Sequence, residues 1–163
     1  LFGEPGEPIC PQEIEGSLDI KPGSCPNSYN TKSNGKLPVA LVGIADLDVT
    51  MVDLSTVLLS RADGVGGSVA PLDGPPGPGS TFEDTATPYD GELCGCHEFG
   101  GDGITDLNFK FSRMDVTDVL ELDGEPGNAE VELVLSGQLM DGTAFVASDC
   151  VRIVPGSLQG MGN

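Results

Sequence analysis

The sequence predicts an all-β fold, an antiparallel β-sandwich with long Gly/Pro-rich loops and room for one short helix. Three observations carry that expectation. Gly and Pro supply 24 and 13 of the 163 residues, so turns must be frequent. The apolar residues are mostly Val, Leu and Ile in short runs bounded by turn residues, the signature of many short strands. Several of these runs alternate apolar and polar residues, as a half-buried strand does. The length suits one domain with a single core.

In chain order, residues 1–17 are rich in Pro, Gly and Glu and read as an extended N-terminal arm. The sandwich is expected over 18–154 and a tail over 155–163. Leu18 and Ile20 alternate as in a strand, and PGSCPN then forces a turn. KLPVALVGI (36–44) is a buried strand with Pro38 near its start, where a missing donor is tolerated. A strand or turn surrounds Val49, and a strand covers Ser55–Ser60.

APLDGPPGPGS is a loop by composition, and FEDTATP a short edge strand. DLNFKF sets Leu107, Phe109 and Phe111 on one face. VTDVLEL leans to a helix. AEVELVLSGQL and TAFVASDCVRIV alternate well and are joined at Asp141-Gly142, a strong hairpin signal.

These blocks carry a family resemblance. LDIKPGSCPNSYNTKSNGKLPVALVG, DLDVTMVDLSTVLL, DGITDLNFKF and LSGQLMDGTAFVASDCVRI together resemble a module of secreted and surface proteins of environmental bacteria and archaea. The likeness spans about residues 18–154. It implies secretion and a non-catalytic, Ig-like β-domain that travels as an accessory part of larger extracellular proteins.

The segment CGCHEFGGDGITDLNFKF (94–111) concentrates the candidate chemistry. Zinc would need Cys94, Cys96 and His97 as crowded ligands plus a distant fourth, whereas structural zinc favours longer spacers. Calcium fits better. The run from Glu98 through Asp102-Gly103-Ile104 to Asp106 resembles the D-x-[DN]-x-D-G-x-x-D-L loop of integrin-type propellers and thrombospondin type 3 repeats. Side-chain oxygens of Glu98, Asp102 and Asp106 and the Ile104 carbonyl would surround one Ca2+, Gly103 permitting the sharp turn. Gly100 stands where the third position usually supplies a ligand, so an outside ligand such as Asp90, Glu92 or water is required. The plainer alternative is an Asp-Gly turn feeding a strand. A second acidic run, Asp46 to Asp53, lacks a glycine turn and reads as solvated turn carboxylates.

Five cysteines (Cys10, Cys25, Cys94, Cys96 and Cys150) point to an oxidising compartment and disulfides. A bond between Cys94 and Cys96 would be strained, so each should reach a distant partner, with Cys25 and Cys150 as candidates. An odd count leaves one thiol free or paired between chains. The arm suggests self-association by strand addition, with Ile9, Ile14 and Leu18 filling pockets and Cys10 available as a cross-link. A linker or disordered terminus is the plainer alternative.

Charge and composition bound the function. With 26 acidic and 7 basic residues the net charge is −19, which argues against nucleic acid and anionic membranes as partners. No run approaches the ~20 apolar residues of a membrane span. The start at Leu1 has neither a basic region nor an apolar core and is expected of a processed chain. No catalytic motif is present, so an enzyme is not expected. The expected role is a calcium-stabilised structural module, extracellular or on the cell surface, with itself or neighbouring extracellular domains as partners. A glycan-binding, adhesive accessory domain is the alternative.

Overall fold

The computed structural model describes residues 13–21, 27–72, 80–88, 94–95 and 100–154. In chain order its strands are β1 (Ile14–Glu15), β2 (Ser17–Ile20), β3 (Ser28–Tyr29), β4 (Lys36–Val42), β5 (Val52–Arg61) and β6 (Ser68–Val69). Then follow β7 (Ser80–Glu83), β8 (Asp106–Ser112), helix α1 (Arg113–Val119), β9 (Glu130–Leu139) and β10 (Ala144–Ile153). Two sheets face each other across one core. The larger runs β1-β10-β9-β5-β6, with β3 also on β10, and the smaller runs β2-β4-β8-β7. All pairings are antiparallel except those of β1 and β3, which lie parallel to β10. This is the all-β sandwich with one short helix that the sequence predicts.

Strand alternation builds the core. Val131, Leu133 and Leu135 of β9 and Phe145, Ala147 and Val151 of β10 face inward from the large sheet. Leu37, Val39 and Leu41 of β4 and Leu107, Phe109 and Phe111 of β8 meet them from the small one. Each fully buried Phe or Leu contributes about 1.5–3 kcal/mol relative to an exposed position. The β9–β10 turn forms at Asp141-Gly142, where Gly142 takes a left-handed φ of 92° and Asp141 Oδ1 accepts from the Thr143 amide.

Several boundaries differ from the sequence expectation, each for a local reason. The helix starts at Arg113 rather than within VTDVLEL because the Ser112 hydroxyl accepts from the Asp115 amide and caps it there. Around Val49 a 3-10 turn forms, capped by Asp48, and β5 extends the expected Ser55–Ser60 strand at both ends. The FEDTATP strand shifts back to Ser80–Glu83, since the Asp106 carboxylate draws Thr85 and Ala86 out of the sheet. Strand structure begins at Ile14, before the expected boundary at residue 18.

Where β10 of the large sheet meets β2 of the small one, the Asp149 carboxylate bonds across. Asp149 Oδ2 accepts from the Ile20 amide and from Asn27 Nδ2, while Oδ1 accepts from the Cys150 amide. The two parallel rungs, Ile14 opposite Phe145 and Ser28 opposite Arg152, lie on either side of it.

The register defines two ends. At the helix end, β4 begins and β8 and β10 finish; Tyr29, fully buried, donates its hydroxyl to the Arg113 carbonyl there and shares a hydrogen bond with Thr117. Burial raises the Tyr29 pKa, and the Arg113 guanidinium lies 5.0 Å over its ring. At the opposite, loop end, β4 and β9 finish, β5 and β8 begin, and the candidate site is assembled.

Candidate metal centre

The site grows out of the β7–β8 pairing. Glu83, the last residue of β7, stands opposite Asp106, the first of β8, so Asp84 leaves the sheet beside the Asp106 carboxylate. Asp106 is completely buried. Its Oδ1 accepts from the Gly43 amide at 2.8 Å, and its Oδ2 from Thr85 and Ala86 at 2.8 and 2.9 Å. One carboxylate thereby holds the end of β4 and the chain leaving β7 against the start of β8. Gly43 is required there, because a Cβ would lie 2.1 Å from the Thr105 carbonyl oxygen.

The returning chain brings Asp102. Asp84 Oδ1 and Oδ2 accept from the Asp102 and Gly103 amides at 3.0 and 2.6 Å, and Asp102 Oδ1 accepts from Ile104. Gly103 takes a φ of 91°, the sharp turn expected of this glycine. Gly101 passes so close that a Cβ would sit 2.7 Å from Asp84 Oδ2. Thr87 donates its hydroxyl to the Gly100 carbonyl and joins the outgoing and returning segments.

Asp84, Asp102 and Asp106 each offer a carboxylate oxygen within 4.8 Å of the others, so the group could hold a metal ion. Asp106 is buried, while Asp84 and Asp102 are exposed. Six main-chain amides already point at these three side chains. A carboxylate has about four acceptor directions, so acceptor capacity remains on the solvent side, where Asp84 and Asp102 lie. Hard cations such as calcium take 6–8 oxygens, so three carboxylates would be completed by carbonyls or water.

Of the residues expected to bind metal, Asp102 and Asp106 come together. Ile104 lies beside them, 47% exposed, with its amide given to Asp102. Glu98 and Asp90 lie outside the described residues, as do Glu92 and His97. The sequence reading missed Asp84, whose only sequence signal is its place at the end of an edge strand. Of the acidic run from Asp46, Asp46 and Asp48 lie in or beside turns as expected, whereas Asp53 is half-buried in β5. Asp48 Oδ1 accepts from the Thr50 amide and hydroxyl, and Asp53 Oδ1 from those of Ser55.

A disulfide joins Cys94 to Cys150, matching one of the candidate partners, across 56 residues of sequence. It ties the segment between Asp84 and Asp102 to β10 in the other sheet. Cys10, Cys25 and Cys96 lie outside the described residues, as does Ile9. Ile14 and Leu18, expected to fill pockets of a neighbour, are placed in this chain's own sheets: Ile14 pairs with Phe145, and Leu18 is buried opposite Leu41. Among the described residues no helix is long and apolar enough to cross a membrane.

Comparison with protein-family models, with curated proteins and with solved structures gives no match.

Proposed function

We propose that this protein is a non-enzymatic extracellular structural module whose loop end is stabilised by calcium and which self-assembles into a surface or extracellular fibre. The observation that carries the calcium reading is the convergence of Asp84, Asp102 and Asp106 oxygens within 4.8 Å on a loop already shaped by main-chain amides. Oxygen-only donors, with neither His nor Cys in the group, suit a hard cation rather than zinc. The disulfide and the resemblance to modules of secreted proteins support an extracellular setting.

The assembly part of the reading rests on the resemblance and on the arm, with Ile9 and Cys10 as its candidate contacts. An adhesive, glycan-binding role has less behind it. Among the described aromatic residues only Phe82 is exposed, and sugar sites usually stack on aromatic rings.

Thermal melting of the full chain in excess calcium and in EDTA tests the calcium reading. Calcium at 100 times its dissociation constant should stabilise the fold by ~2.7 kcal/mol. Coincident melting curves would end that reading. Negative-stain microscopy with and without calcium tests the fibre reading, and a strict monomer under both conditions would end it.

A further inference from the structure

Among the described residues Asn34, Asp63, Asp102, Asp123 and Asp141 each stand directly before a glycine. In such a pair the glycine nitrogen can close a succinimide ring on the side-chain carbonyl carbon, because no Cβ crowds its approach. At the aspartates that nitrogen is already engaged. Gly64 donates to the Arg61 carbonyl at 3.2 Å, Gly124 to the Glu121 carbonyl at 3.3 Å and Gly142 to the Leu139 carbonyl at 2.8 Å. Gly103 donates to Asp84 Oδ2 at 2.6 Å. An amide held in this way must give up its bond and turn before it can attack. An ionised carboxylate is a poor electrophile besides.

Asn34 and Gly35 differ on each count. Both are exposed, in the turn between β3 and β4. The Gly35 amide faces only Ser33 Oγ, at 3.4 Å, beyond the about 2.7–3.2 Å of an ordinary N–H···O bond. Among the described residues the Asn34 side chain takes no hydrogen bond. The turn is anchored before and after this pair. Asn30 Oδ1 accepts from the Lys32 amide and the Asn30 carbonyl from Ser33, while the Gly35 carbonyl accepts from Arg113 at 3.0 Å. The Asn34–Gly35 peptide lies between those anchors with room to rotate: a Cβ on Gly35 would meet only Ser33 Oγ, at 3.9 Å. Lys32 and Lys36 stand two residues away on either side, and no acidic residue occurs from 30 to 36. Their charge favours the amide anion that must form.

We propose that Asn34 is a self-modification site, at which the chain deamidates through a succinimide without an enzyme. The Gly35 nitrogen gives its proton to hydroxide and attacks Asn34 Cγ, forming an N–Cγ bond. The Cγ–Nδ2 bond breaks, and Nδ2 takes up a proton and leaves as ammonia. Water then opens the ring. Attack at Cγ breaks the new bond and leaves aspartate. Attack at the Asn34 main-chain carbonyl carbon breaks the original peptide bond and leaves isoaspartate, with the chain running through the side chain. Overall one water is consumed and one ammonia released, and nothing is oxidised or reduced. Asn27, Asn30, Asn108 and Asn128 precede Ser, Thr, Phe and Ala, whose Cβ atoms crowd the same attack. Isoaspartate would lengthen the main chain beside Gly35, whose carbonyl holds the first amide of α1.

The test ages the folded full chain at mildly alkaline and mildly acidic pH, with a free peptide of residues 31–37 alongside as a clock. Mass spectrometry of the Ser33–Lys36 fragment follows conversion, and unaged protein digested in parallel sets the background. The folded chain should convert at Asn34 within about tenfold of the peptide's rate, faster at alkaline pH, and ahead of Asn27, Asn30, Asn108 and Asn128. A protein isoaspartyl methyltransferase should label the product. Gly35→Ala places its Cβ in open space, with φ outside the left-handed region, so its melting temperature should match the wild type. Its conversion should be at least about tenfold slower. An Asn34 still intact when the peptide has converted would overturn the proposal. So would conversion without isoaspartate, or equal rates for the wild type and an equally stable Gly35→Ala, since either excludes the succinimide.

Discussion

Two acidic regions of this molecule use the same residue type in opposite ways. Between Asp46 and Asp53 each bonded carboxylate turns back on its own chain two residues on: Asp48 to Thr50, Asp53 to Ser55. Asp141 to Thr143 repeats the device in the β9–β10 turn. In the Asp84–Asp102–Asp106 group Asp102 repeats that local bond, to Ile104, but the bonds of the other two leave the neighbourhood. Asp106 accepts from Gly43, 63 residues away, and Asp84 from Gly103, 19 residues away. The local carboxylates bond their own stretch of chain. The distant ones converge, which is the condition for sharing a cation. Acidic count alone cannot separate the two; what separates them is that Asp84 and Asp106 draw amide donors from far along the chain.

Breaking the distant group should have the largest effect. Asp106→Ala leaves three amides without their acceptor in a buried site and should cost about 3–5 kcal/mol, read by chemical denaturation. Removing the tether with Cys94→Ser plus Cys150→Ser should cost about 2–4 kcal/mol. In calcium titrations followed by melting, Asp84→Asn should abolish the calcium-dependent shift, and Asp48→Asn should leave it intact. Equal shifts in the two variants would erase the distinction drawn here.

The smallest effect is pH dependence from the local group. The Thr50 hydroxyl, then its amide, hold Asp48 below the usual carboxylate range. Arg61 does the same for Asp63, and the Thr143 amide for Asp141. These side chains bind protons more weakly folded than unfolded. Their contribution is therefore fully present above the ordinary carboxylate pKa and is lost as pH falls through the lowered values. Melting temperature should decline slightly with acidification below that range. In the Asp48→Ala, Asp63→Ala, Asp141→Ala triple variant this part of the decline should disappear.

The sequence made the local features legible and left the distant ones hidden. Leu107, Phe109 and Phe111 alternate and are all buried; Asp141-Gly142 turns as a hairpin should. Asp102, Gly103 and Asp106 were readable because their spacing lies within five residues of one loop. Asp84 was not, because only the pairing of Glu83 with Asp106 selects it. The cap at Ser112 was present in the sequence but was outweighed by the apolar pattern of VTDVLEL. Cys94 with Cys150 was one of several possible pairings, and nothing short of the fold chooses among them.

Asp149 carries a consequence for the order of events. Its carboxylate, on the last strand described, binds the Ile20 amide across 129 residues, and the same strand receives Ile14, Tyr29 and Cys94. A chain emerging from its N-terminus would hold β1 and β3 without partners until almost everything else had been made. Completion of the sandwich is therefore a late, long-range event, and slow closure is expected of such non-local pairings. Until β10 arrives, the segment around Ile14 is an unclaimed strand, available to whatever sheet it meets first.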